Sequence, residues 1–90
     1  MNLIDRQQAM ALARGFRLCW EPRQACHVLL HPGGIIELNA SAGWVLELLD
    51  GHSSVATIID RLAQRFPGVA GLDEDVLAFL EVARAKSWIE

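Results

Sequence analysis

No basic cluster, no membrane-length apolar run and no metal-type cysteine spacing occurs in this 90-residue chain, and each absence removes a class of function. Eight Lys and Arg residues are scattered among eleven Asp and Glu, for a formal net charge of -3. Neutralising nucleic-acid phosphates takes a concentrated positive face, so DNA and RNA are not expected ligands. No apolar stretch approaches the ~20 residues needed to cross a bilayer, and Met1 to Gln8 are polar and mixed in charge rather than signal-like. A cytoplasmic protein with no membrane partner is expected. Cys19 and Cys26 are the two cysteines, without CxxC spacing or neighbouring ligands, which argues against a zinc knuckle or a thioredoxin-type redox pair. They read as ordinary thiols; a disulfide between them would need a hairpin register that spacing alone leaves open. Gly33-Gly34 and the stretch Gly68 to Gly71 lack the spacing of a phosphate-binding loop.

What is present is apolar and ordered. Hydrophobic residues make up 52% and charged residues 21%, as in compact domains, and the length suits one core. Residues 3 to 14 hold good helix formers but only a loose stripe of Leu3, Ile4, Met10 and Ala11, which predicts a marginal helix or an arm over residues 1 to 14. Such an arm could dock back or exchange onto a second copy to make a homodimer. From Phe16 the period becomes two: Phe16, Leu18 and Trp20 alternate with Arg17, Cys19 and Glu21, the pattern of a strand with one buried face. A second strand, Cys26 to His31, follows. Then come the turn residues His31-Pro32-Gly33-Gly34 and a short third strand from Ile35 to Leu38.

Asn39 is placed to cap a helix from about Ala40 to Asp50, with Gly51 suited to closing it and a serine after His52 to cap the next. Val55, Ile58, Ile59, Leu62, Ala63 and Phe66 form an apolar stripe at helical spacing. Pro67-Gly68 stop that helix. Asp73, Glu74 and Asp75 supply the acidic first turn of a third, which carries Val76, Leu77, Leu80, Ala83 and Arg84 towards Trp88-Ile89. The predicted fold class is α+β: a three-stranded antiparallel meander followed by three helices, with two helices joined tightly enough for a helix-turn-helix.

No catalytic constellation is expected. His27 and His31 lie four residues apart on one strand, roughly 13 Å, too far to share an ion. His52 falls in an interhelix turn, and no nucleophile, base and orienter set is recognisable. The acidic run at 73 to 75 lacks calcium-loop spacing and reads as helix capping. No metal or cofactor is therefore expected. Trp20, Trp44 and Trp88 supply core area, with Trp44 or Trp88 also suited to a contact surface. A three-strand meander has two edges, and an uncovered edge can accept another extended chain.

The runs GFRLCWE (Gly15 to Glu21), HVLLHPGGIIELNASAGWVLELLDG (His27 to Gly51), VATIIDRLAQRF (Val55 to Phe66) and DVLAFLEVARAKSWI (Asp75 to Ile89) resemble the PqqD family of pyrroloquinoline quinone biosynthesis. The most specific element is Leu38-Asn39-Ala40-Ser41-Ala42 with Val45 to Gly51. The resemblance implies a PqqD-like domain over residues 15 to 90, winged helix-turn-helix-like and of the RiPP recognition element type. It also implies a peptide chaperone, not an enzyme, that binds the precursor PqqA and presents it to the radical SAM enzyme PqqE. In related elements the peptide adds beside the third strand and lies against the third helix. Carried over, the peptide-binding residues are Ile35, Ile36, Glu37 and Leu38 with Val76, Leu77, Leu80, Ala83 and Arg84. Recognition of another ribosomally made peptide, or a DNA-binding winged helix, are the alternatives; the charge of the second helix, Arg61 and Arg65 beside Asp60, opposes the latter.

Overall fold

The computed structural model describes residues 3–90. Three strands, β1 (Arg17–Glu21), β2 (Cys26–His31) and β3 (Gly34–Glu37), form an antiparallel sheet in the order β1-β2-β3. Three helices follow, α1 (Ala40–Leu48), α2 (Val55–Arg65) and α3 (Leu72–Ala85). The α+β order expected from the sequence is the one observed.

Register sorts the strand residues into two faces. Leu18, Leu29 and Ile36 stand opposite one another, as do Trp20 and His27, and this face meets the helices; Leu29 is fully enclosed. Cys19, Val28 and Glu37 share the next rung, pointing away from the helices, followed by Arg17, Leu30 and Ile35. Cys19 and Cys26 belong to the outer face but to different rungs, diagonal rather than opposite, and both are free thiols. Between β2 and β3 the turn is held by the Gly33 N–H, which donates to His31 Nδ1 at 3.1 Å. A side chain at residue 33 would start 2.8 Å from that ring and would have to displace it.

The helices begin where their caps lie. Ala42 N–H donates to Asn39 Oδ1 at 2.8 Å, and Thr57 N–H donates to the Ser54 hydroxyl at 3.2 Å. α1 stops at Leu48, short of the expected Asp50, because Asp50 is taken into a turn: its carboxylate accepts N–H from His52 and Ser53 at 2.8 and 2.7 Å. These bonds, that from Ser53 first, lower the Asp50 pKa from 3.8 to about 2. Leu49 is extended, and Gly51 takes its left-handed φ of 78° inside that turn instead of closing the helix. Gly43 lets α1 approach the sheet. A Cβ at this position would run into the His27 imidazole, which also sits 3.8 Å from Glu47 and edge-on to Trp20 at 5.1 Å.

In α2, Val55, Ile58, Ile59 and Leu62 are buried as their spacing predicts, whereas Ala63 is exposed at the margin of the stripe. In α3 the first turn carries Asp73, Glu74 and Asp75. The Glu74 N–H, and then the Arg6 guanidinium at 3.3 Å, hold the Asp73 carboxyl below its ordinary value.

No helix forms over residues 3–14. The segment runs as a strap whose carbonyls are engaged elsewhere. Gln8 and Arg6 accept the N–H groups of Val55 and Ala56 at 3.0 and 2.9 Å, satisfying donors that the first turn of α2 leaves free. Met10 accepts from Gly51, Ala11 and Glu90 exchange two bonds of 2.9 Å, and the Ala13 N–H donates to Trp88 at 2.8 Å. Ile4 and Met10 are buried beneath it, in the core built around Leu29, Leu46, Ile58 and Leu80.

Candidate functional site

β3 pairs with β2 on one side only. Its open side can be read residue by residue. Leu38 N–H donates to the His27 carbonyl at 3.1 Å, and Ile36 opposite Leu29 and Gly34 opposite His31 repeat that phase. Antiparallel residues alternate between turning both backbone groups to the partner and turning both away. Ile35 and Glu37 therefore direct N–H and C=O outward, two donors and two acceptors along one edge.

The expected site residues divide by environment. Ile35 and Glu37 are exposed on the outer face, Ile35 at 68%, while Ile36 is half-buried on the inner face. Leu38 lies past the strand and inside the core. On α3, Val76, Leu80 and Ala83 are buried, with Leu80 and Ala83 wholly enclosed. Leu77 and Arg84 are half-buried on an adjoining stripe, Arg84 lying 3.8 Å from Glu81. A charge placed at Leu80 would test folding rather than a binding surface.

An open apolar groove of about 360 Å³ does lie along α3, and its walls come from three helices. α1 contributes Ser41 and Trp44, α2 contributes Leu62 with Phe66 just past its end, and α3 contributes Leu72, Asp75, Val76 and Phe79. Of the α3 residues expected to contact a peptide, Val76 alone is among these. Trp44 and Phe66 stack at 4.3 Å and 29°, and the Arg65 guanidinium covers both rings at 5.9 and 5.4 Å. Polar groups are confined to the rim. Ser41 Oγ donates to Asn39 Oδ1 at 3.0 Å, part of the helix cap, with no base beside it. Among the described residues, no three His, Cys, Asp or Glu side chains gather as a metal site. An edge with outward backbone groups and an apolar groove between helices are each suited to holding an extended, partly apolar chain.

The profile of the family described as coenzyme PQQ synthesis protein D, PqqD, matches residues 26–89. The chain belongs to the PqqD family. A PqqA binding protein 2 of Pseudomonas putida is 87% identical over the full length of both chains. A PqqA binding protein of Pseudomonas aeruginosa is 54% identical, covering all of this chain and 98% of that one. Among solved structures, the PqqD portion of Methylobacterium extorquens PqqCD superposes with a TM-score of 0.81 at 31% identity, covering 97% and 94% of the two chains. It is described as a functional, stand-alone RiPP recognition element. The matched PqqD segment includes β3, all three helices and the groove, and omits β1 and the strap.

Sequence reasoning missed Trp44 as a stacking partner of Phe66, together with Leu72 and Phe79. A signal existed for α3: Leu72, Val76 and Phe79 recur at i, i+4 and i+7, one helical face beside the core stripe. The meeting of that face with Trp44 and Phe66 is tertiary and leaves no mark on local spacing.

Proposed function

We propose that the chain is a peptide chaperone of pyrroloquinoline quinone biosynthesis, a cytoplasmic binding protein rather than an enzyme. It takes the precursor peptide PqqA as a fourth strand on β3 and presents it to the radical SAM enzyme PqqE. The observation that carries this reading is the open β3 edge, where Ile35 and Glu37 turn four backbone groups outward with no partner strand. The names of the relatives, PqqA binding proteins at 54 to 87% identity, supply the peptide. In this reading Ile35, Ile36 and Glu37 meet the peptide directly. Leu38, Val76, Leu77, Leu80, Ala83 and Arg84 support the surface, and Trp44, Leu72 and Phe79 receive its apolar side chains. Backbone pairing contributes affinity with little demand on sequence, and the groove selects.

The test is an amide-shift titration of isotope-labelled protein with synthetic PqqA, followed by co-elution of the loaded complex with PqqE. The expected result is selective perturbation of Gly34 to Glu37, Val76 to Phe79 and the Trp44 indole, and a ternary complex with PqqE. Unmoved β3 amides at saturating peptide would overturn strand addition.

A further inference from the structure

A second hollow lies on the outer face of the sheet, away from the helices and away from the groove. It is about 360 Å³, floored by Cys19, Val28 and Leu30, walled by Ile35, and rimmed by Glu21 and Glu37. Register explains its chemistry. Glu37, Val28 and Cys19 occupy one rung, with Ile35, Leu30 and Arg17 on the next. An apolar floor thus has carboxylates at its rim. Glu37 makes no ion pair among the described residues; Glu21 uses one oxygen to accept the Arg23 N–H at 2.9 Å.

We infer that the β3 wall of this hollow, Ile35 and Glu37, reads the outward side chains of the bound peptide, taking a lysine or arginine opposite Glu37 and an apolar residue two positions away opposite Ile35. The inference rests on the strand-addition reading and extends it to the peptide's sequence. Ile35 and Glu37 are the residues whose backbone faces the incoming strand, and their side chains share the outer face, so the peptide residues opposite them project there too. The spacing of two holds for either strand direction. A long cationic side chain opposite Glu37 brings its head to that carboxylate across one strand spacing of about 4.8 Å. An acidic residue in that place meets like charge at about 5 Å. On the next rung exposed Ile35 is covered by an apolar partner. The peptide is the favoured occupant because Ile35 and Glu37 belong to both the open edge and the hollow.

The experiment compares calorimetric binding of PqqA, and of PqqA variants with one Lys or Arg at a time changed to Glu, to wild-type protein, Glu37→Lys and Glu37→Gln. Asp60→Lys, on the exposed side of α2, serves as the charge control. The expected result is about 5- to 20-fold weaker binding by Glu37→Lys at low salt and a smaller loss at high salt. One charge-reversed peptide should bind Glu37→Lys at least about fivefold better than it binds wild type, and Asp60→Lys should bind as wild type. Glu37→Gln, about 2- to 4-fold weaker, carries the test if the reversal perturbs folding. Equal affinities for wild type and the Glu37 variants, with no compensating peptide, would overturn the inference even while β3 amides still shift, which leaves strand addition standing. Absent β3 shifts would remove strand addition itself. Unchanged peptide affinity with a slowed PqqE reaction would assign the hollow to the enzyme and likewise overturn it.

Discussion

Replacing Ile35 with proline separates the β3 edge as a binding element from the β3 edge as a folding element. The Ile35 N–H faces away from β2, so proline there removes no ladder bond within the sheet. Stability to urea is expected to fall by less than about 1 kcal/mol, mostly from local adjustment of φ. Proline at Ile36 is different: that N–H lies in the phase of the bonded pair with Leu29, and the loss should reach about 3 kcal/mol. For peptide binding the order reverses. Ile35→Pro deletes one hydrogen bond, about 0.5–1.5 kcal/mol net, and leaves a peptide carbonyl facing a ring, a further penalty of about 1–2 kcal/mol. Together these amount to roughly 2–3 kcal/mol, or about 30- to 150-fold in affinity for PqqA. Ile35→Thr, which keeps the N–H and the β-branch, is the matched comparison and isolates the backbone contribution. Calorimetric titration of both variants is the assay. Binding by Ile35→Pro within twofold of Ile35→Thr, with both folded, would refute strand addition at this edge.

Two further predictions concern the scaffold. Gly43→Val forces a branched side chain against the His27 ring and should cost about 2–4 kcal/mol of stability in urea unfolding, compared with well under 1 for Ala40→Val on the exposed side of α1; equal losses would refute the close approach of α1 to the sheet. The Asp50 carboxyl, lowered from 3.8 to about 2 by the N–H groups of Ser53 and His52, gives a pH signature. Because the folded value is depressed, its stabilising effect is present above pH 3.8 and is lost as pH falls towards about 2. Wild type should therefore lose its advantage over Asp50→Asn across that window in urea unfolding, and a pH-independent difference would show that the carboxylate is not held by those bonds.

The sheet and α2 were legible because their signals are local. Alternation around Leu18, the Pro32-Gly33 turn, and the stripe from Val55 to Leu62 each follow from the period of a single element, but Trp20, expected to supply core area, is 56% exposed near the end of the edge strand β1. The caps at Asn39 and Ser54 were legible for the same reason. The strap was not. Its attachment runs through main-chain bonds from Gly51, Val55, Ala56 and Glu90, which any sequence except proline could supply at those donors. Helix formers at residues 3–14 therefore pointed to a helix whose carbonyls the fold uses elsewhere. On α3 the expected set joined two surfaces: Val76, Leu80 and Ala83 face the core, while Leu77 and Arg84 belong to the next stripe. The groove-facing residues Leu72 and Phe79 became distinguishable once the position of Trp44 was known.

The same geometry favours reading the helix-turn-helix arrangement as a peptide scaffold. Phosphates would be attracted by free cations on α2 or by the N-terminus of α3. Arg61 is exposed on α2 beside Asp60, Arg65 lies over Trp44 and Phe66, and the α3 N-terminus already carries Asp73, Glu74 and Asp75, with Arg6 paired to Asp73. Those carboxylates complement the helix dipole and repel a polyanion. The surfaces left unsatisfied are of another kind: outward backbone groups on β3, an aromatic groove along α3, and an apolar hollow with an acidic rim. In the proposed reading an extended peptide pairs with the edge, and one strand on β3 sends alternate side chains to the two faces of the sheet. Affinity from the edge and selectivity from the faces can then vary independently, as the Ile35 and Glu37 substitutions are designed to measure.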